Sequence, residues 1–301
     1  MAEAKGKIFA IKNFEIHDGD GLRTTVFLQG CPLRCRWCHD PEGLEAKSVL
    51  AFYRDKCRSC GACARVCSAG AQTIADGGHI YDRSRCIVCG ACEKVCPTGA
   101  IKLFGEEIGA AKLIERILPD KVFFAATGGG ITLSGGEPLL QPAFCREVLM
   151  RAKHEGIGTA VDSCLCVSTA AVAAVTPYTD KFLVDVKCAD SRLHERLTGV
   201  GNDQVTEDLA LLCENDCRVE IRVPYIPGCN DGEIPAIAEL LCDFQSCITA
   251  VKVLGYHNYA ENKYAALDMR YPAAEVRLPT AEELSAARRA FSDRGFAVIV
   301  D

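Results

Sequence analysis

Cys31, Cys35 and Cys38 stand in a CxxxCxxC arrangement within eight residues. Thiolates so spaced can hold three irons of a [4Fe-4S] cube and no more, which leaves one iron without a protein ligand. An open metal position takes up a small molecule through that molecule's own donor groups, as the vacant position of a catalytic metal does. Tetrahedral zinc, the competing reading, normally draws on two ligand pairs across a longer spacer, and no second pair with an evident fourth ligand stands at that distance. Further on, Cys57, Cys60, Cys63 and Cys67 form CxxCxxCxxxC. Eighteen residues later Cys86, Cys89, Cys92 and Cys96 repeat it, with the same Cys-Gly-Ala-Cys in each run.

The flanks of the first group narrow the reading. Trp37 directly before Cys38, the run His17-Asp18-Gly19-Asp20-Gly21-Leu22-Arg23 upstream, and His39-Asp40-Pro41-Glu42 downstream resemble the radical S-adenosylmethionine (SAM) superfamily. Within it, they resemble the glycyl-radical-enzyme activating enzymes, relatives of pyruvate formate-lyase activase. Asp20 stands where that family usually has proline. The resemblance covers nearly the whole chain. It implies a partial (β/α)6 barrel of the TIM type and a free iron that chelates the amine and carboxylate of SAM. The implied reaction is reductive cleavage to methionine and a 5'-deoxyadenosyl radical, then abstraction of hydrogen from one backbone glycine of a partner glycyl-radical enzyme. Reduced flavodoxin or ferredoxin is the implied electron donor.

The same resemblance assigns residues. Trp37, Cys38 and His39 lie by the cofactor, and the turn Gly135-Gly136-Glu137 receives the SAM amino group. Asp185 and Lys187, either side of Val186, bind ribose and carboxylate, with Arg222 and His257 near the carboxylate and the adenine. Asp162 and Ser163, together with Asp185, match a monovalent-cation site, although Ser163-Cys164 departs from the family's Thr-Asn-Gly wording. Asp18 matches a residue near the bound glycyl loop. From the residues alone, the glycine turn is equally a capped strand-to-helix turn, and Asp185 with Lys187 is equally an ion pair, since residues two apart share a strand face. His257 alone reads as structural, and Asp18 equally as a surface loop.

The paired runs resemble bacterial two-cluster ferredoxins, in which the fourth cysteine of each run ligates the other cluster. The resemblance gives Cys57, Cys60, Cys63 and Cys96 to one cluster and Cys86, Cys89, Cys92 and Cys67 to a second, for three [4Fe-4S] clusters in all. Ser68 follows Cys67 where proline is usual. Such clusters have no open iron, so they invite either an electron-relay role or a structural one. The division expected is a ferredoxin-like insert over 52–104 within a barrel formed by 1–51 and 105–301.

The elements that must position these groups read as an α/β chain. Strands are expected over 7–16, 22–29, 130–133, 159–161, 181–186, 218–223, 249–254 and 296–300. Helices are expected over 106–118, 141–155, 169–175, 203–215, 231–244 and 280–294. Such alternation predicts βαβ units and a parallel sheet. Ser134 to Pro138, Asp162, Asp185, Lys187, Arg222 and His257 fall at or beyond strand C-termini, where a parallel barrel gathers its active site.

With 301 residues, 49% hydrophobic and 25% charged, the chain is of ordinary globular composition. The 20 cysteines sit mostly in cluster spacings. Residues 1–12 hold no leader-like apolar core, and no run reaches the ~18 apolar residues of a membrane span, so a reducing cytoplasm is the expected setting, with no membrane partner. A net charge of −6 argues against nucleic acid as the main partner. Cys145, Cys164, Cys166, Cys188, Cys213, Cys217, Cys229, Cys242 and Cys247 read mostly as free, buried thiols, with Cys164 and Cys166 near the mouth. Rival readings are a radical-SAM enzyme acting on a small molecule or another peptide, and a three-cluster electron-transfer protein.

Overall fold

The computed structural model describes residues 3–75 and 78–300. In chain order the strands are β1 (Lys5–Glu15), β2 (Arg23–Leu28), β3 (Val49–Phe52), β4 (Gln72–Ala75), β5 (Gly78–Tyr81), β6 (Ile101–Phe104), β7 (Glu106–Gly109), β8 (Gly130–Gly135), β9 (Gly158–Ser163), β10 (Lys181–Asp185), β11 (Val219–Tyr225), β12 (Ile248–Gly255) and β13 (Val298–Ile299). The helices are α1 (Ala62–Val66), α2 (Ala91–Lys94), α3 (Ala110–Ile117), α4 (Lys121–Thr127), α5 (Pro142–His154), α6 (Thr169–Val175), α7 (Ser191–Thr198), α8 (Asp203–Glu214), α9 (Ile234–Leu241), α10 (Glu261–Ala266) and α11 (Ala281–Ser292). None of the described helices is long and apolar enough to cross a membrane.

Nine strands form one sheet in the order β13-β12-β11-β10-β9-β8-β2-β1-β7. The stretch from β2 through β8, β9, β10 and β11 to β12 is parallel throughout, giving the six-stranded partial barrel. Strand β2 is buried along its whole length, as expected of a strand with both faces covered. Val26, Leu133, Val161, Val184, Ile221 and Val251 share one core with Leu113, Phe144, Val172, Leu209, Ile237 and Phe291. The apolar residues of alternating strands and helices thus close on one another.

The chain enters the sheet backwards. Strand β1 lies antiparallel to β2, and β7 antiparallel to β1. This corrects the helix expected over 106–118: its first turn is an edge strand, and α3 begins only at Ala110. Helices α4, α7 and α10 were not expected at all. Cys213 and Cys247, expected free, are disulfide-bonded to one another, and Cys242 is exposed rather than buried.

Between β3 and β6, which pair antiparallel, the internal repeat becomes a repeat of backbone shape. Helices α1 and α2 each start after a left-handed glycine, Gly61 at φ 74° and Gly90 at φ 73°. Ser59 and Val88 likewise both take positive φ, 50° and 54°, a costly conformation for a β-branched residue. The base of this segment meets the barrel through Phe9, Phe27, Ala51, Phe104, Ala266 and Leu267. Arg83 spans the joint, donating to Leu50 O and Ala266 O at 2.6 Å each.

Candidate active site

A cavity of about 750 Å³ opens at the barrel mouth, within the size range of small-molecule sites. Cys31, Cys35 and Cys38 line it from the loop after β2, together with Trp37, His39, Gly135, Gly136, Asp162, Ser163, Asp185, Lys187, Arg222 and His257. Asp18 also lines it, so it is not a remote surface-loop residue.

The cysteine loop is held by backbone bonds. Cys31 N donates to Leu44 O at 3.1 Å, Arg34 N to Thr198 O at 2.6 Å and Arg36 N to Leu197 O at 3.1 Å. The last two acceptors are C-terminal carbonyls of α7, groups that a helix leaves unsatisfied. Trp37 is buried with Leu197, Tyr256, Tyr264 and Tyr271, which anchors the loop's aromatic residue. Burial pushes the Cys35 thiol up to about 12 and the Cys38 thiol up to about 11. Cys31 is raised mainly by its hydrogen bond with Cys164, with burial second. Metal binding at these thiols must therefore release protons.

Charged groups converge beside the loop. Lys187 Nζ donates to Asp185 Oδ2 at 2.6 Å. Burial opposes the ammonium, but Asp185, Cys35 and Cys164 outweigh it and hold Lys187 well above its ordinary value. Asn230 fixes the segment, donating to Lys187 O at 2.8 Å and to Pro224 O at 2.6 Å. Arg222 Nη1 lies 3.4 Å from Asp162 and 3.5 Å from Asp18, and Nη2 donates to His17 O at 2.5 Å. Ser134 Oγ donates to Asp162 at 2.7 Å. Even so, burial pushes Asp162 up to about 6. A guanidinium thus already occupies the space between the two carboxylates.

Three assigned residues sit differently from expectation. Glu137 is fully buried, accepting from Leu139 N, Ser163 Oγ and Cys164 N; it braces the ends of β8 and β9, and burial raises its carboxyl well above the ordinary range. The Ser163 hydroxyl is committed to that carboxylate and to Leu165 N. Val186 belongs to the apolar core. Gly135 and Gly136 are required by backbone packing: at φ 126° a Gly135 Cβ would meet Leu28 N at 2.2 Å, and a Gly136 Cβ would meet Gly30 O at 2.2 Å.

One residue of the mouth, Lys263, carried no signal in the sequence. Lys263 on α10 bridges Asp40 at 2.6 Å and Glu42 at 2.9 Å. His39 stacks on His257 and reaches its carbonyl with Nε2 at 2.9 Å, while His257 Nδ1 is buried without a hydrogen-bond partner among the described residues. Away from the mouth, Asp20, the departure from the family pattern, pairs with Lys181 at 2.6 Å and Arg218 at 3.6 Å. It ties the 17–21 loop to the starts of β10 and β11.

Two smaller cavities lie in the insert. One is lined by Cys57, Cys60, Cys63 and Cys96, the other by Cys67, Cys86, Cys89 and Cys92. Four thiols around each suit two closed cubes, and the three of the loop suit an open one, with Cys164 a further thiol of the mouth beside Cys31. The unpaired His257 nitrogen and the Lys187 and Arg222 cations suit a nucleoside carrying a carboxylate. The residues present therefore fit clusters and SAM.

Comparison with known proteins agrees. The 4Fe-4S binding domain family model matches residues 79–102. Over 279 residues the chain is 39% identical to the choline trimethylamine-lyase activating enzyme of Oleidesulfovibrio alaskensis, covering 90% of each. It is 37% identical over 303 residues to the benzylsuccinate synthase activating enzyme of Thauera aromatica, covering 97% of this chain and 92% of that protein. Among solved structures, a domain of pyruvate-formate lyase-activating enzyme from Bacteroides vulgatus matches with 27% identity and a TM-score of 0.49, covering 57% of this chain and 99% of that one. On the sequence relationships, carried over nine-tenths of its length, this chain belongs to the radical-SAM enzymes that activate glycyl-radical enzymes.

Proposed function

We propose that the enzyme works with three [4Fe-4S] clusters: an open one on Cys31, Cys35 and Cys38, and two closed ones on the cysteine sets of the 52–104 insert. When bound at the reduced open cluster, SAM supplies a 5'-deoxyadenosyl radical that takes a hydrogen atom from a backbone glycine of the partner enzyme. The protein's own residues bind, orient and seclude. Lys187 and Arg222 present cations to the carboxylate, Asp185 accepts from ribose hydroxyls, and His257 Nδ1 offers the adenine a hydrogen bond. Trp37, itself buried, closes the apolar side and keeps water from the reacting atoms. Asp18, held by Arg222 and by Thr25 Oγ1 at 2.8 Å, faces the incoming glycine loop.

The observation that carries this reading is one cavity lined at once by the three spaced cysteines and by Asp185, Lys187, Arg222 and His257. Held by the eight cysteines of the insert, two closed clusters would supply an electron path from a reduced flavodoxin or ferredoxin in the cytoplasm to the Cys31, Cys35 and Cys38 site. Anaerobic protein should then carry about twelve irons per chain and form 5'-deoxyadenosine with dithionite and SAM. A Cys35→Ala variant should form none, and the intact enzyme should raise a glycyl signal by electron paramagnetic resonance in its partner. Nucleoside formation that survives removal of Cys35 overturns the assignment. Relay is tested apart: loss of Cys89 and Cys92 should slow electron uptake from the protein donor, and an unchanged rate makes the insert structural.

A further inference from the structure

The hairpin of β4 and β5 directs two polar side chains at the cysteine sets. His79 lies in the first cavity, with Nδ1 3.5 Å from Cys57 Sγ and Nε2 3.5 Å from Cys63 Sγ. The same Nε2 is 2.6 Å from Gln72 Oε1. Gln72, 2% exposed, lines the second cavity and turns its amide nitrogen to Cys92 Sγ at 3.8 Å. The two residues meet because Ile74 pairs with His79 and Gln72 with Tyr81, which makes Gln72 and His79 diagonal neighbours across the ladder. Phe52 braces the imidazole edge-on with centroids 4.3 Å apart.

Donor and acceptor accounting gives this chain a direction. A cluster-bound thiolate only accepts, and so does the amide oxygen of Gln72. Nε2, 2.6 Å from an amide oxygen that only accepts, therefore carries the ring N–H and shares it between Gln72 Oε1 and Cys63 Sγ, since a proton on Nδ1 alone would set Nε2 and Oε1 lone pair against lone pair. Turning the Gln72 amide over would set its oxygen against Cys92 sulfur, acceptor against acceptor. One run of contacts thus passes from the first set, through imidazole and carboxamide, to the second.

We propose that His79 and Gln72 form a hydrogen-bonded bridge between the two auxiliary clusters that raises the reduction potential of each and so governs where a transferred electron rests. The bridge rests on the proposed cluster assignment. Donors aimed at cluster sulfur stabilise the reduced, more negative state over the oxidised one, and a charged acceptor makes such bonds the stronger kind.

The test is an anaerobic redox titration followed by electron paramagnetic resonance, with iron counted on the same samples, for the native holoenzyme, His79→Phe, His79→Gln and Gln72→Leu. His79→Phe should move one auxiliary signal to more negative potential and Gln72→Leu the other. His79→Gln, which keeps a donor, should restore part of the first shift. The SAM-cluster signal should not move. The double variant should fall short of the summed single shifts, since the residues share one contact. Full iron with both auxiliary potentials at native values overturns the bridge and leaves the clusters standing. Native protein lacking the auxiliary iron overturns the cluster assignment instead. Should His79→Phe fail to load its cluster, Gln72→Leu decides: an unmoved second potential at full iron overturns the bridge.

Discussion

The imidazoles of His39 and His257 stack with ring centroids 3.8 Å apart and planes 28° from parallel, although 218 residues separate them. One follows the last cysteine of the loop and the other follows β12, so the contact joins the two flanks of an open barrel across its mouth. Aromatic pairs of this kind contribute about 0.5–1.5 kcal/mol. A His257→Ala variant should lose about that much stability together with the hydrogen bond proposed to the nucleoside. SAM affinity by equilibrium dialysis is expected to fall roughly tenfold, the effect of one lost hydrogen bond of about 1.4 kcal/mol, while iron per chain stays at the native value.

Gly136 tests whether the turn after β8 is a packing element. A methyl group there meets Gly30 O and Gly43 O, both backbone atoms that cannot swing aside. Gly136→Ala should therefore cost about 2 kcal/mol or more and push the cysteine loop off its seat. The check is a lowered Tm together with iron lost from the open cluster. The two proposed auxiliary clusters should keep theirs, since Cys57, Cys63, Cys92 and Cys96 belong to a separate core in the insert.

The ion pairs around Lys181 are unequal. Asp20 keeps 55% of its side-chain surface in water, whereas Lys181 keeps 9% and Glu220 5%. Asp20→Ala should cost less than about 1 kcal/mol, as exposed pairs do. Lys181→Met leaves the buried Glu220 carboxylate with Arg222 alone, its Nε at 3.8 Å, and should cost more, about 2 kcal/mol. Urea unfolding of the two variants measures the difference directly.

His194 makes the cysteine loop sensitive to acid from a distance. Its Nδ1 bonds Val200 O at 2.5 Å at the end of α7, the helix whose carbonyls hold Arg34 and Arg36. Burial lowers its pKa below the model-peptide value of about 6.5. Between the folded pKa and 6.5 the unfolded chain binds more protons, so stability rises with pH through that window. The contribution is complete above about pH 6.5 and is lost as pH falls through the folded value. His194→Asn keeps a donor for Val200 but does not titrate. Its stability should change less than the native protein's between pH 7.5 and 5 in urea unfolding, and an identical slope refutes the assignment.

Much of the mouth was legible because polar residues interrupt apolar runs at strand ends. Asp162, Asp185, Lys187, Arg222 and His257 stand out in this way, and the sheet gathers them. The supports were not legible. Thr198 and Leu197 hold the cysteine loop through carbonyl oxygens, which every residue owns, so α7 left no side-chain signature. The Gln72 to His79 contact depends on hairpin register, fixed only once β4 and β5 pair. Glu137 lies beside two glycines of the mouth and still turns inward, because Cys164 N and Ser163 Oγ offer it donors. The strand over Glu106–Gly109 has Ile108 as its one buried apolar side chain, too little alternation to reveal a period.

The nine-stranded sheet finishes in two of its shortest members, β7 with four residues and β13 with two. A foreign peptide seeking to extend either rim would find few main-chain groups to zip onto, and the same brevity guards against self-association of the sheets. A glycine-bearing segment of a client enzyme would find little of either rim to join as a tenth strand.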